Sequence, residues 1–319
     1  MQRWGLTAAG VVRFRCRSCG ASATRKRPDR TDQAQQALWV SWLLGGVSQA
    51  RIATEQGLHP RTLRRHVARC WDHPVNPRAA PLPIQGLVLD ATSIQPRQKV
   101  VLVAQDVRRF TVSWAFAERE CHASWKALLT TLEKQGITPR FVVCDAHAGL
   151  LKALREVWPQ TFIQRCLIHV VRQARLWLTQ HPKTPAGRRL RILVNALTHV
   201  RTEAQKARWL RVYQHWLRHY DAFLKQRTLN PQGPRRWWYT HRRLRAVRSL
   251  LTNSLPDLFH FVRQPEIPRT TNHVEGGINS RIKDLFRRHR GLSLHRKTTL
   301  TALYLSSRQS PQKPTRNVL

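Results

Sequence analysis

Three carboxylates occupy positions at which an acidic residue is not needed to keep the protein soluble. Asp90 directly follows the apolar run 87–89, and Asp145 directly follows the apolar run 141–144. Glu275 lies in a polar stripe much later in the chain. Carboxylate oxygens are hard ligands that suit Mg²⁺ or Mn²⁺, and a pair of such ions supports phosphodiester chemistry. We therefore predict that Asp90, Asp145 and Glu275 converge to hold two divalent ions.

The polar stripe around Glu275 repeats at helical spacing. Asn272, Glu275 and Asn279 are three and four residues apart, so they would share one face of an α-helix. A neighbouring apolar stripe would dock this helix on a sheet and direct Glu275 toward the strand ends. It consists of Ile278, Ile282 and Leu285.

Simpler structural roles remain open for some of the acids. Asp145 precedes a predicted helix and can serve as its amino-terminal cap. A capping role is less suited to Asp90, because the residues after it do not open a helix. Asp106 is a rival carboxylate, but it is expected in a turn before Arg108, where a hairpin role accounts for it more simply.

Short apolar and β-branched runs predict the sheet that must position the acids. Amphipathic segments between them predict helices. The expected order is β-β-β-α-β-α-β, with strands at 87–89, 100–103, 110–116, 141–144 and 161–164 and helices at 125–132 and 148–157.

A long helical region is expected after the fifth strand, with an all-helical insertion at about 185–265. Segment 190–219 carries apolar residues at helical spacing, and segment 235–248 mixes arginines with aromatic residues. Such a mixture suits phosphates and unpaired bases, although the aromatic residues could equally form helix core beneath solvated arginines. The DNA-binding candidates here are Arg235, Arg236, Trp237, Trp238, Arg242 and Arg243.

The charge balance of the 319-residue chain points to a polyanionic partner. There are 56 Lys+Arg against 17 Asp+Glu, a formal charge of +39. Most of the cations are arginines, whose planar fork matches a phosphate, and we expect salt-sensitive binding to nucleic acid. An apolar fraction of 41% excludes a wholly disordered basic tail. The apolar runs are short and no export leader is evident, so we expect a cytoplasmic, nucleoid-associated protein with reduced cysteines and no membrane contact.

The amino-terminal 1–30 segment is basic and contains a Cys-x-x-Cys pair. Cys16 and Cys19 before Gly20 have the spacing of half a zinc ribbon, whose second pair would lie upstream. Cys70 and His73 are an alternative second pair at an unusually wide separation. We therefore expect a partial zinc-ribbon-like segment, with Zn²⁺ as a candidate ligand and an amino terminus whose completeness is open.

Segment 31–71 has the pattern of a helix-turn-helix domain. A helix ending at Gly45-Gly46 is followed by a short helix at 49–56 capped by Ser48, a tight turn, and a basic helix at 61–69. A small three-helix bundle with a solvated basic face would give the same pattern. The arginines expected to face DNA are Arg61, Arg64, Arg65 and Arg69. A proline-rich linker at 72–83 would join this domain to a catalytic domain at 84–310 and a tail at 311–319.

Taken together, these motifs resemble the DDE transposases with an RNase H-like core, specifically the Mutator-like bacterial insertion-sequence group. The resemblance covers about residues 84–305 and rests on Asp90, Asp145 and Glu275, on Cys166-x-x-His169 after the fifth strand, and on Asn272-x-x-Glu275. It implies an α/β fold, a mixed five-stranded sheet with a helical insertion, preceded by the helix-turn-helix domain and partial zinc ribbon.

The resemblance also implies roles for these residues. Asp90, Asp145 and Glu275 would bind catalytic Mg²⁺ or Mn²⁺, with Asn272 and Asn279 in support. Cys166 and His169 would support the site or position DNA, whereas their apolar neighbours favour simple core packing at a helix start. Further phosphate contacts are expected beyond Glu275, from Arg281, Lys283, Arg287 and Arg288.

The implied activity is that of a transposase. It would bind the terminal inverted repeats of an insertion sequence, hydrolyse a phosphodiester and join the freed 3′-OH to target DNA, acting as a homodimer or larger assembly. Two alternatives stay open: an inert DNA-binding regulator derived from such an enzyme, and an RNase H-like nuclease that cuts without joining.

Overall fold

A computed structural model describes residues 1–8, 10–24, 28–80, 83–145, 147–230, 233 and 236–309, with the side chains of 28–31 and 273 excepted. The chain divides into two compact units, Met1–Pro74 and Val75–Leu319. This division falls inside the predicted linker. The predicted tail at 311–319 and Arg235 lie outside the described residues.

The first unit combines a small sheet with three helices. Its antiparallel sheet has the strand order β1-β2-β3. The elements are β1 (Gln2–Leu6), β2 (Val12–Arg15), β3 (Ser22–Thr24), α1 (Pro28–Gly45), α2 (Gln49–Glu55) and α3 (Pro60–Cys70).

Local capping fixes the two short helices of this unit. Ser48 Oγ accepts a hydrogen bond from the Arg51 amide (3.2 Å), as the sequence predicted for the start of α2. Pro60 occupies the first turn of α3, where its missing N–H costs nothing. Leu63 and Val67 of α3 are buried, so the helix presents a basic face opposite an apolar one.

A five-stranded mixed sheet forms the centre of the second unit, and the predicted β-β-β-α-β-α-β order is confirmed. Strand order is β6-β5-β4-β7-β8. The first three strands along the chain pair antiparallel, and β7 and β8 run parallel to β4. The strands are β4 (Gly86–Gln95), β5 (Lys99–Asp106), β6 (Thr111–Ala117), β7 (Phe141–Cys144) and β8 (Phe162–Arg165).

Helices cover both faces of this sheet because its strands are apolar on both sides. Leu87 and Leu89 pack with Trp125 of α4 (His122–Lys134) and with α5 (Ala148–Val157). Val88 faces the other side, where it joins the core formed with α6 (Leu167–Leu178). The alternation of strand side chains thus divides the core into two layers.

The region after β8 is mostly helical, but the prediction of an all-helical insertion is wrong. A two-stranded antiparallel hairpin interrupts it. Segment 190–219 is likewise split into two helices, since Thr202 starts a new one with a capping box to Gln205. The elements are α7 (Pro185–Ala196), α8 (Glu203–His219), α9 (Asp221–Lys225), β9 (Arg227–Leu229), β10 (Trp237–Tyr239), α10 (Arg242–Ser254) and α11 (His260–Arg263).

The hairpin has a clear physical origin. Three consecutive aromatic residues at 237–239 favour an extended strand, and the nearby prolines and glycine at 231–234 favour a turn over a helix. The arginines around them are compatible with either structure, so their abundance does not indicate a helix.

A π-helical turn replaces the regular helix that was predicted around Glu275. The segment runs through α12 (Asn272–Val274), the π turn Glu275–Asn279 and α13 (Ser280–Arg288), followed by α14 (Leu294–Ser307). The adjacent Gly276 and Gly277 have low helix propensity, which lowers the cost of widening this turn. Among the described residues, no helix is both long and apolar enough to cross a bilayer.

Candidate active site

Asp90 lies in the middle of a strand and not at its end. The prediction of a strand ending at residue 89 is wrong, since β4 continues to Gln95 and pairs with β5 along most of its length. The Asp90 side chain is buried. Its Oδ2 accepts a hydrogen bond from Asn279 Nδ2 (2.7 Å), and its Oδ1 accepts one from the Ala91 amide (3.0 Å).

Asp145 directly follows the adjacent parallel strand β7 and lies level with Asp90. Val88 of β4 pairs with Val143 of β7, so two residues further along each strand bring the two carboxylates side by side. The Asp145 Oδ1 accepts a hydrogen bond from the His147 amide (3.0 Å). His147, and not Asp145, is the amino-terminal cap residue of α5, so the capping role considered for Asp145 does not apply.

Glu275 approaches from the π turn and is held by two cations. Its Oε1 lies 3.2 Å from His169 Nε2, and its Oε2 accepts a hydrogen bond from the Arg172 guanidinium (2.6 Å). Ile278, Ile282 and Leu285 are buried, so the predicted apolar stripe does anchor this segment.

The electrostatics of Asp90 reflect the other two predicted acids. Burial raises the pKa of Asp90 to about 7, with the charges of Asp145 and Glu275 adding to the shift and His169 opposing it. Asp90 therefore lies within electrostatic range of both Asp145 and Glu275, although, among the described residues, the three carboxylates do not form a ligand group whose atoms all lie within 4.8 Å of one another. Interacting acids of this kind favour a bound cation or a shared proton.

Cys166 and His169 lie beside Glu275. Cys166 is fully buried at the start of α6, and its Sγ accepts hydrogen bonds from the Thr271 amide (3.3 Å) and hydroxyl (3.4 Å). A hydrogen bond to Cys166 raises the pKa of His169 to about 9, against the effect of burial and with help from Glu275. His169 thus turns toward the acids, while Leu167 and Val170 beside it supply the core packing.

The two asparagines predicted near Glu275 differ in their placement. Asn279 is buried against Asp90, and its Oδ1 has no hydrogen-bond partner among the described residues. Asn272 is exposed on α12. Asn272 therefore does not share the burial of Asn279, and the common face of Asn272, Glu275 and Asn279 stays a prediction.

Glu120 is a fourth acid at the site and was not among the residues predicted from the sequence. Its Oε1 accepts a hydrogen bond from Trp125 Nε1 (2.9 Å) and lies 3.7 Å from His147 Nδ1. Burial raises the pKa of Glu120, and the charge of Asp145 adds to the shift. The chain packs closely next to Glu120. A Cβ added to Gly149 of α5 would lie 2.6 Å from the His122 amide nitrogen, which is too close for any side chain.

Strand direction was the signal that could have revealed Glu120. Strand β6 is antiparallel to β5, which is antiparallel to β4. The carboxyl end of β6 therefore lies at the same edge as those of β4 and β7, and Glu120 follows it by three residues. Asp106 ends β5 at the opposite edge, where it binds the Arg108 amide (2.7 Å) and guanidinium (2.9 Å), as expected of a hairpin residue.

The amino-terminal cysteines lie close together in a turn, and the prediction that they bind zinc stays a prediction. Cys16 and Cys19 lie in the turn after β2, where hydrogen bonds from Ser18 and Cys19 lower the pKa of Cys16 to about 6. Among the described residues, neither joins a group of three potential metal ligands. Cys70, the alternative partner, is buried in α3. A structural zinc ion would need two further ligands beside Cys16 and Cys19.

The predicted basic surfaces are exposed wherever they are described. In the first unit all four predicted DNA-binding arginines face solvent, namely Arg61, Arg64, Arg65 and Arg69. Those residues of the second unit that face solvent are Arg236, Trp237, Arg242, Arg243, Arg281, Lys283, Arg287 and Arg288, and Trp238 is half-buried. Asp284 is close to two of these arginines, Arg281 and Arg288.

The aromatic residues of the β9–β10 hairpin stack with arginines instead of forming helix core. Arg227 lies over the Trp237 ring (4.0 Å to the centroid), and Arg245 lies over Tyr239 (3.5 Å). Trp237 is 38% exposed. The hairpin therefore presents an aromatic and guanidinium surface to solvent.

A family of known proteins matches the segment that contains most of the candidate site. Residues 86–231 match the family described as "Transposase, Mutator family". The resemblance to Mutator-family transposases is confirmed. The Mutator-family match contains Asp90, Asp145, Cys166 and His169, whereas Glu275 lies beyond it and is placed in the site by the geometry alone.

The individual relatives align with this chain over less than half of their own length. The chain is 32% identical over 139 residues to a transposase for insertion sequence element ISRM5 of Rhizobium meliloti, covering 40% of this chain and 35% of the relative. It is 30% identical over 83 residues to a probable insertion-sequence transposase of Corynebacterium diphtheriae, covering 26% and 24%. The chain thus spans about a third or less of the curated relatives it matches. A Drosophila P element transposase strand transfer complex matches at 12% identity with a TM-score of 0.41, over 92% of this chain and 94% of that one.

Proposed function

We propose that the protein is a DNA transposase of an insertion sequence, which binds the element ends and catalyses metal-dependent phosphodiester hydrolysis and strand transfer. The observation that carries the proposal is that Asp90 lies within electrostatic range of Asp145, which follows the neighbouring strand, and of Glu275, which comes from a distant π turn. The Mutator-family match over residues 86–231 supports it.

The proposal includes an RNase H-like core. Three antiparallel strands followed by two parallel ones, in the order β6-β5-β4-β7-β8, support this assignment. The helices and hairpin between β8 and α12 then form an insertion that separates the third acid from the first two. Because of this insertion, Glu275 and Asp90 lie far apart in the sequence, and no short motif contains both.

The donor set at the sheet edge fits a hard divalent ion. Asp90 and Asp145 offer carboxylate oxygens, and Asn279 Oδ1, which has no partner among the described residues, offers a neutral one beside them. Magnesium or manganese prefers such oxygen ligands. When bound, the metal would activate an attacking oxygen and stabilise the leaving oxygen. Glu275 would complete the set once its contacts with Arg172 and His169 rearrange.

The protein's own cations have separate tasks in this proposal. The raised pKa of His169 keeps its imidazole charged at neutral pH, where it orients Glu275. Arg172 contacts the same carboxylate and is 60% exposed, so it is able to meet a DNA phosphate at the site. The raised pKa of Asp90 means that deprotonation of this buried acid accompanies metal binding.

The exposed basic surfaces would bind DNA. Helix α3 would act as the recognition helix of a helix-turn-helix, with Arg61, Arg64, Arg65 and Arg69 facing the major groove. The β9–β10 hairpin and α13 would bind phosphates near the site. Joining two element ends would require at least two protomers. The Cys16–Cys19 turn would contribute as a basic DNA-contacting segment, with Zn²⁺ as a candidate ligand of its two thiols.

The deciding experiment uses DNA fragments that carry the inverted repeats flanking the gene. We expect the full chain with Mg²⁺ to nick these ends and to join them to target DNA, and Asp145→Asn to bind the ends without cutting. Asp221→Asn, at a half-exposed position on α9, is the matched control. Binding without any metal-dependent cutting by the unaltered protein would support an inert regulator, and cutting without joining would support a nuclease.

A further inference from the structure

A second set of potential metal ligands lies beside the carboxylates, and its donor atoms are of a different kind. We propose that Cys166, His169 and Glu275 form a binding site for a thiophilic divalent ion, best represented by Zn²⁺. One ligand atom from each residue lies within 4.8 Å of the other two. Sulfur, imidazole nitrogen and a single carboxylate oxygen are zinc ligands, whereas magnesium takes oxygen ligands almost exclusively. The site goes beyond the proposed function, which requires no thiol ligand.

The three ligands are held in place before any ion binds. Cys166 caps α6 and His169 lies three residues later in its first turn, so both side chains point along one face of the helix. Thr271 donates two hydrogen bonds to the Cys166 sulfur. Such outer contacts orient the ligands of a metal site and tune their affinity.

The site has room for an exchangeable fourth ligand. The side chains of His169 and Glu275 remain 31% and 22% exposed, which leaves a solvent-facing side next to the fully buried sulfur. Arg172 occupies only Oε2 of Glu275, so Oε1 is the oxygen that faces His169 and the ion. Three protein ligands and an open position are the arrangement of exchangeable zinc sites.

Sharing of Glu275 gives the site a regulatory consequence. In the proposed function Glu275 binds the hard ion together with Asp90 and Asp145, and in the thiophilic site it binds with Cys166 and His169. Zinc bound between Cys166, His169 and Glu275 would hold this carboxylate in its present position beside His169. Occupancy by zinc therefore withdraws Glu275 from the catalytic set, and micromolar zinc should inhibit magnesium-dependent cleavage.

Cobalt(II) provides a test that does not depend on DNA cleavage. Metal-stripped full-length protein is titrated with Co²⁺, which occupies zinc sites and whose bond to a thiolate gives a near-ultraviolet charge-transfer band. We expect the band in the unaltered protein, its loss in Cys166→Ser, and its retention in the Cys16→Ser/Cys19→Ser double variant. His169→Gln keeps the thiol and should weaken cobalt binding by at least about tenfold, since it removes a direct ligand.

Thermal unfolding of each variant shows whether it is folded, and His169→Gln, at a part-exposed position, serves if Cys166→Ser does not fold. A band that survives Cys166→Ser, or that disappears in the Cys16/Cys19 variant, would place the thiolate ligand at the amino-terminal turn and overturn the proposal. Absence of any band, or cobalt binding unaffected by His169→Gln, would also overturn it. A protein that binds cobalt in this way but never cuts DNA would contradict the proposed function alone.

Discussion

The two halves of the candidate site are built from different kinds of contact. The sheet half consists of Asp90 and Asp145, whose positions follow from the register of two adjacent parallel strands. The helix half consists of Cys166, His169 and Glu275, which meet only because α6 packs against a segment more than a hundred residues later in the chain. Strand register fixes positions rigidly, whereas the helix half depends on a π turn and on exchangeable hydrogen bonds.

This difference suggests a division of tasks. The sheet half offers only oxygen ligands in fixed positions, as a catalytic metal needs. The helix half offers a carboxylate that has two alternative sets of partners, so it is the half that can switch. Substitutions in the two halves should therefore differ in the size and in the kind of their effects.

The largest effect is expected from the sheet half. Asp145→Asn removes a charged metal ligand while keeping the acceptor for the His147 amide. Cleavage of element ends should fall by at least about 100-fold, because loss of a catalytic metal ligand forfeits several kcal/mol of barrier lowering. End binding in a gel-shift assay should be unchanged. Cleavage by Asp145→Asn at a rate near that of Asp221→Asn would remove this carboxylate from the mechanism.

The next effect concerns the hydrogen bond that joins the two halves. Asn279→Ala removes the donor to Asp90 Oδ2 and leaves a buried carboxylate short of one partner, at a cost of about 1–3 kcal/mol. We expect cleavage to fall about tenfold, which corresponds to about 1.4 kcal/mol. Asn272→Ala, at an exposed position of the same segment, should leave cleavage unchanged. If the two variants lost equal activity, the common helical face expected from the sequence would be the better description.

Much of this site could be predicted from the sequence, and the remainder depends on long-range contacts. Short apolar and β-branched runs identified the strands, and an acid directly after such a run identified Asp145. Asp90 was identified for a partly wrong reason, since β4 extends beyond it. Glu120 could have been found only by following the direction of β6. The π turn arises at two adjacent glycines, and the hairpin at three consecutive aromatic residues. The helical spacing around Glu275 and the many arginines around the hairpin were instead the stronger signals in the sequence.

A smaller effect is expected on stability and on its pH dependence in the absence of divalent metal. The pKa of Asp90 is raised to about 7, mainly by burial. The fold therefore holds a proton that the unfolded chain releases above its ordinary pKa, and stability falls as pH rises toward and through 7. Asp90→Asn mimics the protonated state, so at pH 8 it should be more stable than the unaltered protein and melt at a higher temperature.

Calorimetric or fluorescence melting at about pH 5 and pH 8, with chelator present, measures this difference. The gain in melting temperature should shrink at the lower pH, where Asp90 of the unaltered protein is itself protonated. Addition of Mg²⁺ should stabilise the unaltered protein but not Asp90→Asn. An equal gain at both pH values would mean that Asp90 is not the titrating group.

The smallest effect is expected from Glu120, which supports the sheet half without belonging to it. Glu120→Gln keeps an acceptor for Trp125 Nε1 but removes the charge that faces His147, whose amide positions Asp145. We expect cleavage to fall about threefold at saturating Mg²⁺, a loss of about 0.7 kcal/mol, together with a higher Mg²⁺ concentration for half-maximal rate. Glu118→Gln, two residues earlier and exposed, is the matched control. An unchanged Mg²⁺ requirement with a lowered melting temperature would assign Glu120 to the packing of α4, whereas a loss as large as that of Asp145→Asn would place it among the metal ligands and enlarge the sheet half to three acids.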